Sequence, residues 1–313
     1  MKKLLPTLRL SLDMTNVLAK IEHAGIKVNL ETLNDIRNEY EHELTTIDKR
    51  LKQIVSDVMG DTPINLNSAD DRSMLFYSRK INNKETWTRI FNIGHEMRGA
   101  TRKIKMRKKM SKELFARTIR NNTEVIKKTT GYQCGTCEGV GRVRFKLKNG
   151  QLGKANRLCK NCNATGVVYS QSKQVAGLRI VPRNTKDVAQ AGFKTDKTTL
   201  EEMLPALSGA AKEFVELYVR YSALRTYLST FVEGMENNVD ENNFIHPEFM
   251  QCITATGRLS SRNPNFQNMP RGSTFRIRKV VESRFEGGSI IEGDYSQLEF
   301  RVAGFLANDS QIY

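Results

Sequence analysis

Four of the five cysteines form one array, Cys134-x2-Cys137-x21-Cys159-x2-Cys162. Each Cys-x-x-Cys turn can present two thiolates to one ion, and two turns complete the sulfur tetrahedron that zinc prefers. One structural Zn2+ is therefore expected on these four residues. Between the turns, GRVRFKLKNGQLGKANR alternates as a basic β-hairpin that reverses at Asn149-Gly150. The fifth cysteine, Cys252, has no partner in the pattern and is expected in a core. A second candidate is acidic. Asp294 follows the apolar pair Ile290-Ile291, read as a short strand, and leads into an amphipathic run that reads as helix up to Tyr313. A carboxylate at such a strand end suits a hard divalent cation or the orientation of a nucleophile.

These residues need a scaffold, and 313 residues suffice for two or three domains with at least one full core. Apolar positions at helical spacing predict a helix over 11–24, with Leu12, Met14, Val17, Leu18 and Ile21 on its stripe and Gly25 at its end. A short strand, IKV, follows. The clearest helix is 33–58, where Leu33, Ile36, Tyr40, Leu44, Ile47, Leu51, Ile54 and Val58 alternate three- and four-residue steps. Ser68 with Asp71 three residues later has the form of a capping box. Residues 167–198 read as irregular with short strands. Residues 199–235 read as a long helical segment bent or broken at Pro205, and loops with short strands follow from 240.

Composition excludes some classes and favours one. No apolar run approaches the roughly eighteen residues that suggest a membrane span. The opening MKKLLPTLRLSL is interrupted by Pro6 and Arg9 and lacks a small-residue cleavage pattern, so a signal peptide is not expected. The protein is expected to be intracellular, in the cytoplasm. That setting favours metal over disulfides for the array. The net charge of +16 is concentrated: residues 101–130 hold eleven Lys/Arg against two Glu, and 131–166 hold seven against one. Such a block points to a polyanion partner, nucleic acid first.

Two stretches decide the family. TATGRLSSRNPNFQNMP at 254–270 and GDYSQLEFR at 293–301 together resemble the polymerase domain of family A DNA polymerases, the group of bacterial repair polymerases and many phage replicases. Upstream, MTNVLAKIEHAGIKVN is similar to the opening of that domain, NLNSADDRSMLF to the start of its thumb, and LYVRYSALRTYLSTFVEGM to its long return helix. The resemblance covers about residues 10–85 and 192–313 and leaves out the basic insert. The first knuckle, CGTCEGVG, resembles the Cys-x-x-Cys-x-Gly-x-Gly unit of DnaJ-type zinc domains; the second, CKNCNATG, departs from it at Ala164. No His-Pro-Asp signature of a DnaJ chaperone accompanies them.

The resemblance implies an α+β fold: a helical thumb plus the first part of an antiparallel-sheet palm of a right-hand polymerase, with a small zinc-binding β-hairpin insert. It sets 1–30 as the start of the palm, 31–100 as rising thumb helices and 101–170 as the insert. Residues 171–240 would hold the return helix, and 241–313 the palm with the Asp-Tyr-Ser motif. It implies two Mg2+ ions, with Asp294 and the carbonyl of Tyr295 as ligands, Glu299 excluding ribonucleotides and Arg301 supporting its helix. Arg258 would read base-pair shape in the minor groove, with Ser260, Asn265, Gln267 and Asn268 on sugar and phosphate oxygens. Arg225, Ser229 and Thr230 lie where the family's thumb meets the duplex; a lysine often seen there is Thr226.

The implied partners are primer–template DNA and deoxynucleoside triphosphates, and no membrane. The insert would grip DNA, act as a plain zinc staple, or dock a processivity factor. The family's second aspartate, in a His-Asp-Glu turn, and its fingers helix come after the Asp-Tyr-Ser stretch. The chain is thus expected to be half of a split enzyme or a piece of a longer one. It would be inactive without a second polypeptide carrying the fingers and the remaining palm. The alternative is a non-catalytic, zinc-stapled DNA-binding protein derived from a polymerase.

Overall fold

The computed structural model describes residues 5–93, 110–146, 152–270, 275–309 and 311–312. The basic stretch 101–109 and the Asn149-Gly150 reversal lie outside them. In chain order the elements begin α1 (Leu5–Ala24), β1 (Ile26–Lys27), α2 (Leu30–Met59), α3 (Ala69–Tyr77), β2 (Arg79–Ile81) and α4 (Lys84–Phe91). They continue with α5 (Lys112–Asn122), β3 (Thr123–Val125), β4 (Lys127–Gln133), β5 (Arg142–Lys146), β6 (Leu152–Leu158) and β7 (Val167–Val175). Then come β8 (Val188–Ala189), β9 (Gly192–Phe193), α6 (Lys197–Met203), α7 (Gly209–Tyr227) and, after a π-helical turn at Leu228–Val232, α8 (Glu233–Glu236). The last are β10 (Phe244–Ile245), β11 (Glu248–Met250), β12 (Ser260–Arg262) and α9 (Leu298–Ala307). Every sheet among the described residues is a two-stranded antiparallel ribbon. The fold is α+β. Two compact units share the chain, one of Met1–His42 with Arg225–Tyr313, the other of Glu43–Leu224.

In the unit of Glu43–Leu224 the core is helical and aromatic. Ile47, Leu51 and Ile54 from the second half of α2 are buried, as the three- and four-residue steps require. Phe76 meets Phe214 edge-on, with ring centroids 5.5 Å apart, and Trp87 packs on Phe91 and Phe193. The buried indole finds its partner by donating to the Ala189 carbonyl at 2.9 Å. Ser68 caps α3 by accepting from the Asp71 N–H at 3.3 Å. The Asp71 carboxylate does not complete the box on Ser68; it accepts from the Asn65 N–H at 2.9 Å instead. Residues 167–198 are more regular than expected, because Val167–Val175 forms a nine-residue strand paired with β4. Pro205 breaks the helical segment between α6 and α7.

The unit of Met1–His42 and Arg225–Tyr313 joins β1 to β10, pairing Ile26 with Ile245 and Lys27 with Phe244. Tyr40 and Phe275 pack on Tyr227 at ring-centroid distances of 5.2 and 4.4 Å. Ion pairs stitch it, among them Arg37 to Glu236 and Lys27 to Glu282 at 3.1 Å. Four expectations fail here. Of the α1 stripe only Leu18 is buried; Leu12, Val17 and Ile21 stay exposed, because no described element covers that face. Ile290-Ile291 is not a strand: both are exposed coil, since no described neighbour offers a ladder to pair with. The terminal helix ends at Ala307, where Asn308 turns left-handed and its N–H caps the Gly304 and Phe305 carbonyls. Cys252 is exposed in a bend, with a left-handed backbone (φ 61°) that carries its thiol away from any core.

Candidate functional site

The cysteine array closes into one cluster. All four sulfurs lie within 4.8 Å of one another, and all four residues are buried. Cys134 Sγ is 3.8 Å from Cys159 Sγ, and Cys137 Sγ is 3.6 Å from Cys162 Sγ. Such gaps are far too long for disulfides. Four sulfurs about 2.3 Å from a central ion would stand about 3.8 Å apart in a tetrahedron, so the donor set fits a tetrahedral metal.

The two knuckles repeat each other at an offset of 25 residues. The Gly141 N–H donates to Cys137 Sγ at 3.2 Å, and the Gly166 N–H donates to Cys162 Sγ at 3.3 Å. Cys134 N–H donates to the Gly166 carbonyl and Cys159 N–H to the Gly141 carbonyl, both at 2.9 Å, so each knuckle ties down the other. Gly141 and Gly166 have left-handed backbones, and a Cβ on either would stand 2.2 or 2.1 Å from a carbonyl oxygen of the facing knuckle. The first knuckle has Gly139 where the second has Ala164, which is forced to φ +68°. Burial pushes the Cys137 thiol up to about 11. Burial also raises Cys134, but backbone N–H groups of Cys137 and Thr136 outweigh it and bring that thiol down to about 6. The Asn161 amide adds a donor to Cys134 Sγ at 3.5 Å.

The sequence reading missed the base of this module. Antiparallel β4 and β7 bring the first knuckle beside the end of the second, pairing Gln133 with Val167. Strand β4, KKTTGYQ, has no apolar alternation and therefore carries no strand signal on its own. The expected hairpin is present as β5 and β6, pairing Arg142 with Leu158 and Arg144 with Asn156. Arg142, Arg144 and Arg157 are exposed on it, and Lys160 is exposed in the second knuckle.

The acidic segment is open where the cysteine cluster is closed. Asp294 and Tyr295 are exposed on coil just before α9, and Gln297 enters the helix left-handed at φ 51°. Among the described residues, no other group of three or more potential ligands gathers around a metal-sized space. Arg258 reaches across from the 254–270 loop and forms an ion pair with Glu299 in the first turn of α9. The Glu299 carboxyl is held below its ordinary value by its own backbone N–H and then by that guanidinium. Arg301 folds back to donate to the Ser296 carbonyl at 3.0 Å. Ser260 opens β12, while the Ser261 hydroxyl bonds Asn265 at 3.1 Å and accepts from the Gln267 N–H at 3.3 Å. Gln267 and Asn268 remain exposed.

Arg225, on the last turn of α7, and Ser229 and Thr230, on the π-helical turn, are exposed. The extra residue of a π turn re-aims the side chains that follow it, a device frequent at functional sites and invisible to a 3.6-residue periodicity.

A family model described as DNA polymerase family A matches residues 166–313. Over this stretch the chain is similar to DNA polymerase family A. The family A stretch holds Arg225, Ser229, Thr230, the 254–270 loop and Asp294, whereas all four cysteines precede it. DNA polymerase I of Treponema pallidum (strain Nichols) is 37% identical over 123 residues, 39% of this chain and 12% of that protein. A DNA polymerase of Bacillus phage SP01 is 36% identical over 103 residues, 30% of this chain and 11% of that one. A solved structure described as the POL domain of Pol1 from M. smegmatis, in complex with DNA primer-template and dNTP, aligns with a TM-score of 0.48 and 19% identity. That alignment covers 96% of this chain and 34% of the solved one. The chain thus spans a small part of the length of the curated relatives it matches. No helix among the described residues is long and apolar enough to cross a membrane.

Proposed function

We propose that this chain supplies the thumb and the first part of the palm of a template-directed DNA polymerase, with one structural Zn2+ in its insert. The observation that carries the reading is the family match over 166–313, which includes Asp294 on the coil before α9 and Arg258 paired to Glu299. The layout is the one the resemblance implies: palm at 1–30 and 241–313, thumb at 31–100 and 171–240, insert at 101–170. Asp294 and the Tyr295 carbonyl would hold Mg2+. The chemistry such ions would supply there is charge stabilisation of the attacking 3′-hydroxyl oxygen and of the leaving phosphate oxygens.

One exposed carboxylate offers too few ligands for two ions. A further palm segment must therefore bring the others, and α9 supplies a place for it: Phe300, Phe305 and Leu306 are exposed on that helix. That segment, with the fingers that grip the deoxynucleoside triphosphate, would come from a second polypeptide or from the rest of a longer one. Arg258 would leave Glu299 to reach the minor groove of the primer–template, beside Ser260, Asn265, Gln267 and Asn268. Glu299 would then face the sugar 2′ position, with Arg301 bracing its helix. Arg225, Ser229 and Thr230 would touch the duplex backbone.

Magnesium-dependent primer extension tests this. The chain alone is expected to bind primer–template and to add no nucleotide. Extension is expected once the missing palm and fingers are supplied, and Asp294→Ala is expected to abolish it. Extension by the chain alone, lost in Asp294→Ala, would show that its active site is complete. DNA binding without extension in the complemented assay would make it a zinc-stapled binding protein.

The basic hairpin would add affinity for duplex DNA. Every phosphate that a cation no longer neutralises lowers the log–log salt slope by about 0.9, so Arg142→Glu with Arg144→Glu should flatten it by about 2. An unchanged slope would favour docking of a processivity factor on that face.

A further inference from the structure

A cleft of 750 Å³ opens within the unit of Glu43–Leu224, at α5, β3 and the segment 175–183. It has no part in the sites above. Its volume lies within the roughly 300–1,000 Å³ typical of ligand clefts. Phe115, Ile119 and Ile180 form its buried floor. Val125 and Val181 line it while exposed, Val181 by 78%.

The rim is cationic. Lys112, Arg120, Arg79, Arg179 and Arg183 all line the cleft, and among the described residues no Asp or Glu does. Arg183 is committed to Asp187 at 2.8 Å and Glu202 at 2.9 Å. Arg79 and Arg179 donate to neutral oxygens, of Thr123 at 3.0 Å and of the Val175 carbonyl at 3.2 Å. Among the described residues no ion pair engages Lys112, Arg120, Arg79 or Arg179. Elsewhere in the molecule arginines are commonly paired, as Arg37, Arg50 and Arg220 are with glutamates. Apolar side chains left in water beside uncompensated cations suit an occupant that is both apolar and anionic.

We propose that this cleft docks an acidic peptide segment of a partner protein, one that seats bulky apolar side chains on the floor and its carboxylates on the rim. Single-stranded nucleic acid fits less well. Its affinity comes from rings that offer a face to the bases, and the rings here, Tyr77 and Phe115, are buried. A groove for phosphates would also have no use for an apolar floor. Residues 94–109 of this chain fit less well on charge, with seven Lys/Arg and one Glu, the sign of the rim itself. The inference does not depend on polymerase activity.

Fluorescence anisotropy of the full zinc-loaded chain tests it. The probes are a fluorescein-labelled peptide of six aspartates followed by Leu-Phe-Leu, the six aspartates alone, and a labelled oligothymidylate. The apolar-tipped peptide should bind at least ten-fold more tightly than the aspartates alone. Val181→Asp, and separately Lys112→Glu with Arg120→Glu, should each weaken it ten-fold or more. All three positions are exposed, so the melting temperature should hold, and Val181→Asp should leave primer–template affinity unchanged. Equal binding of the two peptides, or full binding by Val181→Asp, would overturn the proposal. If Val181→Asp weakens oligothymidylate instead, the cleft belongs to nucleic acid. A ten-fold gain in peptide affinity on deleting 94–109 would make that segment the occupant.

Discussion

The cysteine cluster and the Asp294 segment are both proposed here as metal sites, and they are built in opposite ways. The cluster takes its four sulfurs from 29 consecutive residues, Cys134 to Cys162, and buries all of them. Each knuckle supplies N–H donors to its own second sulfur and accepts the N–H of the other knuckle's first cysteine. Asp294 lies on exposed coil, and among the described residues no group of three or more potential ligands includes it. The contrast has a physical reason. A structural metal site gains by being closed, since its ion contributes folding free energy to the strands around it. A site that has to admit substrate, as proposed for Asp294, would instead be open and be completed by other segments and by that substrate.

The largest expected effect comes from opening the closed site. Cys159→Ser, or a chelator strong enough to strip zinc, should unfold β4 to β7, read as fast amide exchange across 127–175. Protection in β1 and β10 should persist, because those strands belong to the other unit. Intact exchange protection in metal-free protein would remove the zinc account. Metal affinity should also fall as pH falls, because protons compete for the thiolates. The Cys137 thiol, pushed up to about 11, must lose its proton for the metal to bind.

Next is Asp294→Ala in the complemented enzyme, which should lose extension while its thermal midpoint stays unchanged. A fall in the midpoint would mean that the segment is structural, like the cysteines. Smaller effects sharpen the picture of the knuckles. Gly166→Ala puts a Cβ 2.1 Å from the Gly139 carbonyl oxygen at φ +79° and should cost ~1–3 kcal/mol in a urea melt. Ala164→Gly should do the reverse, by up to ~1 kcal/mol, since it removes a left-handed alanine where the first knuckle already has glycine. No gain there would show that the two knuckles are not mechanically equivalent.

Much of this was legible in the chain itself. Leu33 to Ile54 marked α2 because one buried stripe dictates a 3.6-residue period, and Ser68 marked a cap because only a side-chain acceptor satisfies that first-turn N–H. The cysteine cluster was legible because it is local: spacing alone confines two cysteines to one turn. Other features had no local signal. Strand β4 exists because β7 pairs with it, and the π turn at Leu228–Val232 departs from the period that found the helix around it. Leu12 and Ile291 looked like interior residues, yet burial depends on what else comes to cover them. The residue types fixed which chemistry Asp294, Arg258 and Glu299 could do, through charge and hydrogen-bonding capacity. Only the tertiary structure paired Arg258 with Glu299 and drew the cations of three segments round one apolar cleft, because contacts between distant residues form only when the chain packs.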